Sequence, residues 1–103
     1  MKDHRILSEK EEKAAENELY KAVLALASTE ECRDFFTDLC TPAELQAMKD
    51  RWVVVELLGQ KKTYREIHDL TGVSITTIGR VARCLTNGAG GYAAVLERIT
   101  GNS

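Results

Sequence analysis

Basic side chains are concentrated in the stretch from residue 61 to residue 84. This stretch holds Lys61, Lys62, Arg65, Arg80 and Arg83 against only Glu66 and Asp69, whereas residues 1–60 hold 8 basic and 13 acidic side chains. The whole chain carries 14 Lys+Arg and 16 Asp+Glu, which argues against a protein that coats nucleic acid nonspecifically. A cationic face on an otherwise acidic chain is the charge layout of a protein that selects a DNA sequence. A charged face that is only solvated has the same composition, so the charge alone does not distinguish a DNA-binding face from a solvated one.

The same stretch carries the signals of two short helices joined by a glycine turn. Thr63 and Glu66 have the spacing of a capping box, in which each side chain satisfies a backbone N–H of the other residue. Gly72 can take a positive φ at little cost and would end this first helix, and Ser74 can cap the second. The pattern predicts a helix-turn-helix over residues 63–85. An ordinary helical hairpin with a polar outer face is the alternative.

Apolar spacing divides these two helices into an inner and an outer face. The positions predicted to pack inward are Ile67, Leu70, Val73, Ile78 and Val81. The positions predicted to lie nearer the surface are Arg65, His68, Ser74, Thr76, Thr77, Gly79, Arg80 and Arg83. Small and hydroxyl side chains at the start of the second helix would let it approach base edges, and its free N–H groups favour a phosphate. The outer face therefore predicts DNA binding.

The rest of the chain predicts further helices that must position this pair. Capping-box spacing at Ser8 predicts a long amphipathic helix over residues 8–28, and Ser28-Thr29 would lead into a second helix from Glu30 to Leu39. Thr41 followed by Pro42 predicts a third helix from Pro42 to Leu58. A glycine-rich turn over residues 86–91 precedes a last helix from about Tyr92 to Ile99. The predicted fold class is all-α, with six helices and no strand.

The third helix is apolar over a broad arc. Its predicted packing face is Leu45, Met48, Trp52, Val55 and Leu58, widened by Val53 and Val54. This is more apolar surface than a small monomer readily covers, so part of it is expected to face a second subunit. We therefore predict one domain over residues 1–103, with dimerisation helices at 8–58 and 92–100.

Several classes of protein are disfavoured by what the sequence lacks. No apolar run approaches the roughly 20 residues that span a bilayer, and the N-terminus has no signal-peptide core, so we expect a cytoplasmic protein. Cys32, Cys40 and Cys84 are isolated and are predicted to be reduced thiols, and His4 and His68 fit no metal or catalytic pattern. No nucleophile, paired-carboxylate or phosphate-loop constellation is evident, so we expect no enzymatic activity and no cofactor.

From Leu39 to Leu85 the chain resembles the tryptophan repressor family, in particular its YerC/YecD-type members in Gram-positive bacteria. The resemblance rests on L-C-T-P-x-E-x-x-A-M at the start of the third helix, R-x-x-V-V-E-L-L within it, Y-R-E-I and T-T-I-G-R. It implies an all-helical, intertwined homodimer in which the N-terminal helices of one subunit wrap the other. It also implies that two helix-turn-helix heads enter successive major grooves of double-stranded DNA.

Position by position, the resemblance implies which residues contact DNA. The contacts carried over are Arg65, Ser74, Ile75, Thr76 and Gly79, and Lys61, Lys62 and Arg83 are expected on phosphates. Arg65 is expected to reach a guanine, because its guanidinium can donate two hydrogen bonds to O6 and N7.

The resemblance also implies a corepressor pocket, at Arg51, Thr77 and Arg80. The chain departs from the family beside this pocket. Val81 stands where the repressor has a glycine that leaves a slot for the indole, and Cys84 stands where it has a serine. Because a valine would fill the slot, we expect DNA binding without a corepressor, or an effector other than L-tryptophan.

These observations predict a homodimeric transcriptional regulator, and specifically a repressor, that acts by occupying an operator. Two alternatives stay open. One is a helix-turn-helix adaptor that binds a protein partner, and the other is a tryptophan-responsive repressor.

Overall fold

The computed structural model describes residues 6–101, and within this range it contains six α-helices and no strand. The helices are α1 (Glu9–Leu24), α2 (Thr29–Leu39), α3 (Pro42–Gly59), α4 (Tyr64–Thr71), α5 (Ile75–Asn87) and α6 (Gly91–Thr100). The predicted all-α class is confirmed. By its contacts the chain divides into two compact units, Met1–Cys40 and Thr41–Ser103. His4 lies outside the described residues, and the prediction of a single domain stays a prediction.

Three helices begin at the capping boxes that their sequences predict. The pairs are Ser8 with Glu11, Thr41 with Glu44 and Thr63 with Glu66, and both reciprocal hydrogen bonds form in each, at 2.8 to 3.2 Å. Pro42 occupies the first turn of α3, where its missing N–H would have no partner within the helix. Local sequence thus sets where α1, α3 and α4 start.

The first helix is shorter than predicted. It ends at Leu24 and not at Ser28, because the chain leaves the helix to place Ser28 in an extended conformation as the cap of α2. The Ser28 hydroxyl accepts a hydrogen bond from the Glu31 N–H at 3.1 Å, and the Glu31 carboxylate accepts one from the Ala27 N–H at 2.9 Å. Neither α1 nor α2 has a fully buried residue.

The core of the second unit is built from three of its helices. Val54 and Val55 of α3, Ile67 of α4, and Ile78 and Val81 of α5 are each at most 1 % exposed. Half-buried side chains packed against this core are Trp52, Leu57, Leu58, Val73, Leu85, Tyr92 and Leu96. The last helix joins through an aromatic contact between Trp52 and Tyr92, whose ring centroids lie 6.3 Å apart. The helix pair α4–α5 is therefore held on α3 by apolar contacts.

The structure corrects the predicted inner faces at two places. Leu70 is 65 % exposed, because the packed face of α4 runs through Ile67 and the half-buried Thr71 one turn later, and Leu70 lies beside that face. On α3, Met48 and Val53 are exposed, whereas Val54, predicted only to widen the stripe, lies at the centre of the core.

The turn between α4 and α5 is held by a set of short hydrogen bonds. Gly72 ends α4 in the left-handed region, at φ +77°, and its N–H donates to the His68 carbonyl at 2.8 Å. The Thr71 hydroxyl donates to the Ile67 carbonyl at 2.7 Å and accepts from the Val73 N–H at 3.0 Å. The His68 ring nitrogen Nδ1 lies 2.8 Å from the Val73 carbonyl oxygen, so the tautomer that carries a proton on Nδ1 donates to it. The turn is thus a defined structure.

We predict that Gly72→Ala lowers the free energy of unfolding by about 1–2 kcal/mol, the cost of a left-handed non-glycine residue. Apart from Gly72 itself and its two chain neighbours, no heavy atom lies within 4 Å of the position of the added Cβ, so this cost is conformational and not steric. Gly91→Ala is the matched control, because Gly91 also has open space but lacks a positive φ. The measurement is urea unfolding followed by circular dichroism at one protein concentration, and equal stability of the two variants would contradict the prediction.

Candidate nucleic-acid interface

The N-terminus of α5 presents two of the predicted contact residues freely. Ile75 is 47 % exposed, and Thr76 is exposed with a hydroxyl that has no hydrogen bond within residues 6–101. Ser74, by contrast, is the helix cap, since its hydroxyl accepts from the Thr77 N–H at 3.1 Å and donates to Thr77 Oγ1 at 3.0 Å. The Ser74 hydroxyl therefore stabilises the end of α5, whereas Ile75 and Thr76 extend from it.

Arg65 projects from α4 into solvent. Its side chain is 86 % exposed, and its Nε lies 4.0 Å from Oδ2 of Asp69, one turn along the same helix. An exposed pair at this distance contributes little stability, so it leaves the guanidinium available to another acceptor.

The carboxylate of Glu66 already accepts a hydrogen bond within the protein. The backbone N–H of Thr63 donates to it, and this bond, with a smaller contribution from the Thr63 side chain, holds the pKa of Glu66 below its usual value. The charge of Lys62 also lowers the pKa of Glu66, which stays charged in the capping box of α4, and the other carboxylate of residues 61–84, Asp69, lies beside Arg65.

The two lysines before α4 follow an unusual helix end. The Lys61 N–H donates to the Leu58 carbonyl at 3.0 Å and the Lys62 N–H to the Leu57 carbonyl at 3.1 Å, the bond pattern of a Schellman motif. Lys61 takes the left-handed position, at φ +67°, where glycine is the usual residue. Both side chains are exposed, and neither ammonium forms an ion pair within the described part of the chain.

Gly79 does not lie on the surface, so the prediction of its exposure is wrong. It is buried, because the Tyr64 ring and the Arg83 side chain cover it. A Cβ at Gly79 would lie 3.5 Å from Arg83 Nη1 and 3.8 Å from Tyr64 Cε2. Tyr64, which the sequence reasoning did not select, is thus part of this surface. Its position in the Y-R-E-I motif was the available signal.

The residues carried over as a corepressor pocket do not share one environment. Arg51 of α3 and Arg80 of α5 are exposed, and Thr77 takes part in the Ser74 cap. The methyls of Val81, which is 1 % exposed, are part of the core. A cavity of about 470 Å³ in this unit is lined by other residues of α3, α5 and α6, among them Glu56, Leu85 and Leu96. The pocket at Arg51, Thr77 and Arg80 stays a prediction.

Two further findings bear on the chemistry of the chain. Over residues 6–101, no group of three or more His, Cys, Asp and Glu side chains could hold a metal ion, and the cysteines at 32, 40 and 84 form no disulfide. Among the described helices, none combines the length and the apolar character needed to cross a membrane.

Comparison with known proteins relates both sequence and fold to one family. A family model described as Trp repressor protein matches residues 14–100. The uncharacterized protein YerC of Bacillus subtilis is 41 % identical over 83 residues, which cover 81 % of this chain and 80 % of YerC. The solved structure of a TrpR-like protein from Eubacterium eligens is 39 % identical, with a TM-score of 0.80, over 84 % of this chain and 90 % of that one.

A second solved structure, of a Staphylococcus aureus protein provisionally described as a Trp repressor, is 38 % identical. Its TM-score is 0.81, and the match covers 91 % of this chain and 96 % of that one. The matched segment includes the helix pair α4–α5 and the α3 helix on which it packs. The chain therefore belongs to the Trp repressor family.

Proposed function

We propose that this chain is a sequence-specific DNA-binding transcriptional regulator that acts as a homodimer and represses by occupying its operator. The observation that carries the proposal is the uncompensated positive charge around α4 and α5. Lys61, Lys62, Arg80 and Arg83 are exposed, and none of them has an ion-pair partner within residues 6–101. Cations left without a carboxylate in a chain of net charge −2 form a surface for phosphates. Membership of the Trp repressor family supports the same function.

The contacts divide by the chemistry of the side chains. Arg65 and Thr76 read base edges by hydrogen bonds, and Ile75 contacts a thymine methyl, since all three side chains are exposed on α4 and α5. Ser74 places the end of α5 and its backbone N–H groups against the duplex. Lys61, Lys62 and Arg83 bind phosphates, which fix the orientation of the protein without reading sequence. Gly79 lies beneath Tyr64 and Arg83 and makes no contact of its own.

The exposure of the first unit supports homodimerisation. A two-helix unit without a fully buried residue cannot offset the entropy of ordering its chain. Its exposed apolar side chains include Tyr20, Leu24 and Leu39, of which Leu24 is 83 % exposed. On α6, Ile99 is 62 % exposed. We assign these surfaces, within residues 8–58 and 92–100, to the contact with a second copy in the cytoplasm.

The regulator does not depend on L-tryptophan. Val81 is packed with Val54 and Val55 in the core, and it stands where the family resemblance implies a glycine that leaves a slot for the indole. Affinity for the operator is therefore expected to be the same with and without this amino acid.

A protein-binding adaptor is the second candidate. The exposed Leu70 favours it, because a large apolar side chain on the same helix as Arg65 suits a protein surface better than a phosphate backbone. DNA-binding measurements distinguish the two functions. The affinity of an operator-binding protein for its duplex falls steeply as the salt concentration rises. An adaptor that barely touches DNA shows a flat salt dependence and selects no sequence from random duplexes.

We predict that Arg65→Ala weakens binding to a duplex selected by the wild-type protein about 5- to 150-fold, the effect of losing a bidentate contact to guanine worth about 1–3 kcal/mol. Binding to a scrambled duplex changes much less, because a base contact contributes little there. Arg33→Ala, on α2, is the matched control and leaves both affinities unchanged. Fluorescence anisotropy titration measures the affinity for each duplex. An equal loss of affinity on both duplexes would show that Arg65 binds only phosphate.

We predict that Lys61→Gly raises the free energy of unfolding by about 1 kcal/mol, because glycine takes the left-handed position without strain. The same variant binds DNA more weakly on every duplex, and the slope of log affinity against log salt falls by about one.

Lys61→Asn is the control for charge, since asparagine tolerates the left-handed region better than lysine but also lacks the ammonium. It matches Lys61→Gly in DNA affinity and gains less stability. A stabilised Lys61→Gly that binds DNA as tightly as the wild type would remove Lys61 from the interface.

We predict that the protein sediments at equilibrium with about twice the 11.5 kDa mass of one chain. Leu24→Glu shifts the mass towards that of one chain, because it would bury an unpaired carboxylate in the subunit contact. A single-chain mass for the wild type at micromolar concentration would contradict the proposed homodimer.

A further inference from the structure

Two side chains from different helices converge over Gly79. Arg83 follows Gly79 by one helical turn, and its side chain extends back along α5 so that Nη1 lies 3.5 Å from where a Cβ of Gly79 would be. The Tyr64 ring reaches the same place from the first turn of α4, at 3.8 Å. The glycine is buried for this reason, and a larger residue would hold the two side chains apart.

Both side chains end in donors that the protein leaves unused. Tyr64 is 43 % exposed, and its hydroxyl forms no hydrogen bond within the described residues. Arg83 is exposed, and no carboxylate in that range pairs with its guanidinium. Of the two carboxylates on α4, Glu66 is held by the capping box of that helix and Asp69 lies beside Arg65. This arrangement lacks an acceptor, and the acceptor it fits is a tetrahedral anion.

We propose that Tyr64 and Arg83 together bind a single phosphate of the DNA duplex, and that Gly79 is the slot that lets them lie side by side. This inference rests on the proposed DNA-binding function and adds to it a neutral donor, Tyr64, together with the pairing of that donor with Arg83. Tyrosine hydroxyls and arginines are both common phosphate donors at DNA interfaces. Two donors on one phosphate fix the docking of α4 relative to the duplex, so that Arg65 on the same helix meets the base that it reads.

The experiment is a double-mutant cycle on Tyr64→Phe and Arg83→Ala, with fluorescence anisotropy on a duplex selected by the wild-type protein and on a scrambled duplex. Tyr64→Phe removes only the hydroxyl and retains the ring over Gly79. We expect it to weaken binding about fivefold on both duplexes with no change in the salt slope, because no charge is lost. Arg83→Ala weakens binding about tenfold and lowers the salt slope by about one.

The double variant tests whether the two donors share one phosphate. If they do, its loss of affinity is clearly smaller than the product of the two single losses, because each single variant already disrupts the common contact. Thr86→Val is the control: it removes an exposed hydroxyl from the last turn of α5, outside both the proposed DNA contacts and the proposed subunit contact, and it leaves DNA affinity unchanged. Thermal unfolding and sedimentation verify that every variant is folded and has the oligomeric state of the wild type.

Gly79 supplies a second test. Gly79→Ala keeps the two side chains in place, since its Cβ would make only ordinary contacts, and it loses much less affinity than Gly79→Leu. Gly79→Leu displaces them and loses affinity to the level of the double variant.

The outcomes separate this inference from the function on which it rests. If the wild type binds DNA and Tyr64→Phe binds equally well, or if the two single losses multiply in full, the shared phosphate is overturned while the regulator stands. If the wild type selects no duplex and binds none in a salt-dependent way, both proposals are overturned.

Discussion

The placement of α4 and α5 on α3 by a small apolar core is the constraint on which the rest of the structure depends. Ile67, Ile78 and Val81 pack against Val54 and Val55, and each is at most 1 % exposed. Complete burial of one such side chain contributes about 1.5–3 kcal/mol, so a handful of contacts supplies much of what a small unit needs. Because these residues face inward, the helical geometry directs Arg65, Thr76 and their neighbours outward. The cationic surface is therefore a consequence of the packing.

Local hydrogen bonds fix the helix starts and the turn between α4 and α5, which so small a core cannot position alone. Helices of 8 and 13 residues are marginal in isolation, and each here begins at a side-chain cap. Between them Gly72 takes the left-handed conformation, and His68 and Thr71 bind the backbone on either side of the turn. The end of α5 is consequently positioned both by its core contacts and by the turn that precedes it. The proposed contact with base edges requires that degree of order.

Acidic and basic side chains around α4 and α5 differ in how far they are paired. Both carboxylates of α4 interact with residues of their own helix or its cap: Glu66 belongs to the capping box, and Asp69 lies beside Arg65. By contrast, four of the five basic side chains of residues 61–84 have no ion-pair partner among the described residues. Lys61 even occupies a backbone conformation that glycine would adopt with less strain. The mutual repulsion of these exposed cations is unfavourable in the isolated protein, and a polyanionic partner would offset it. The same reasoning accounts for the uncovered donors of Tyr64 and Arg83.

Sequence alone determined the features that depend on neighbours along the chain. Capping boxes, Pro42 and Gly72 act over three or four residues, so the starts of α1, α3 and α4 and the turn before α5 were predictable from residue types. Motifs such as Y-R-E-I indicated the family, which the comparisons confirm.

Tertiary structure decided which side chains are buried and which residues from different helices meet. Periodicity gives a helix face only to within a broad arc, so Leu70 and Val53 were predicted to pack inward and lie exposed, whereas Val54 is central. Gly79 was predicted on the surface from its own helix, but it is covered by Tyr64 of another helix and by Arg83. No spacing within one segment encodes such a contact, because it depends on how α4 and α5 pack against each other and on α3.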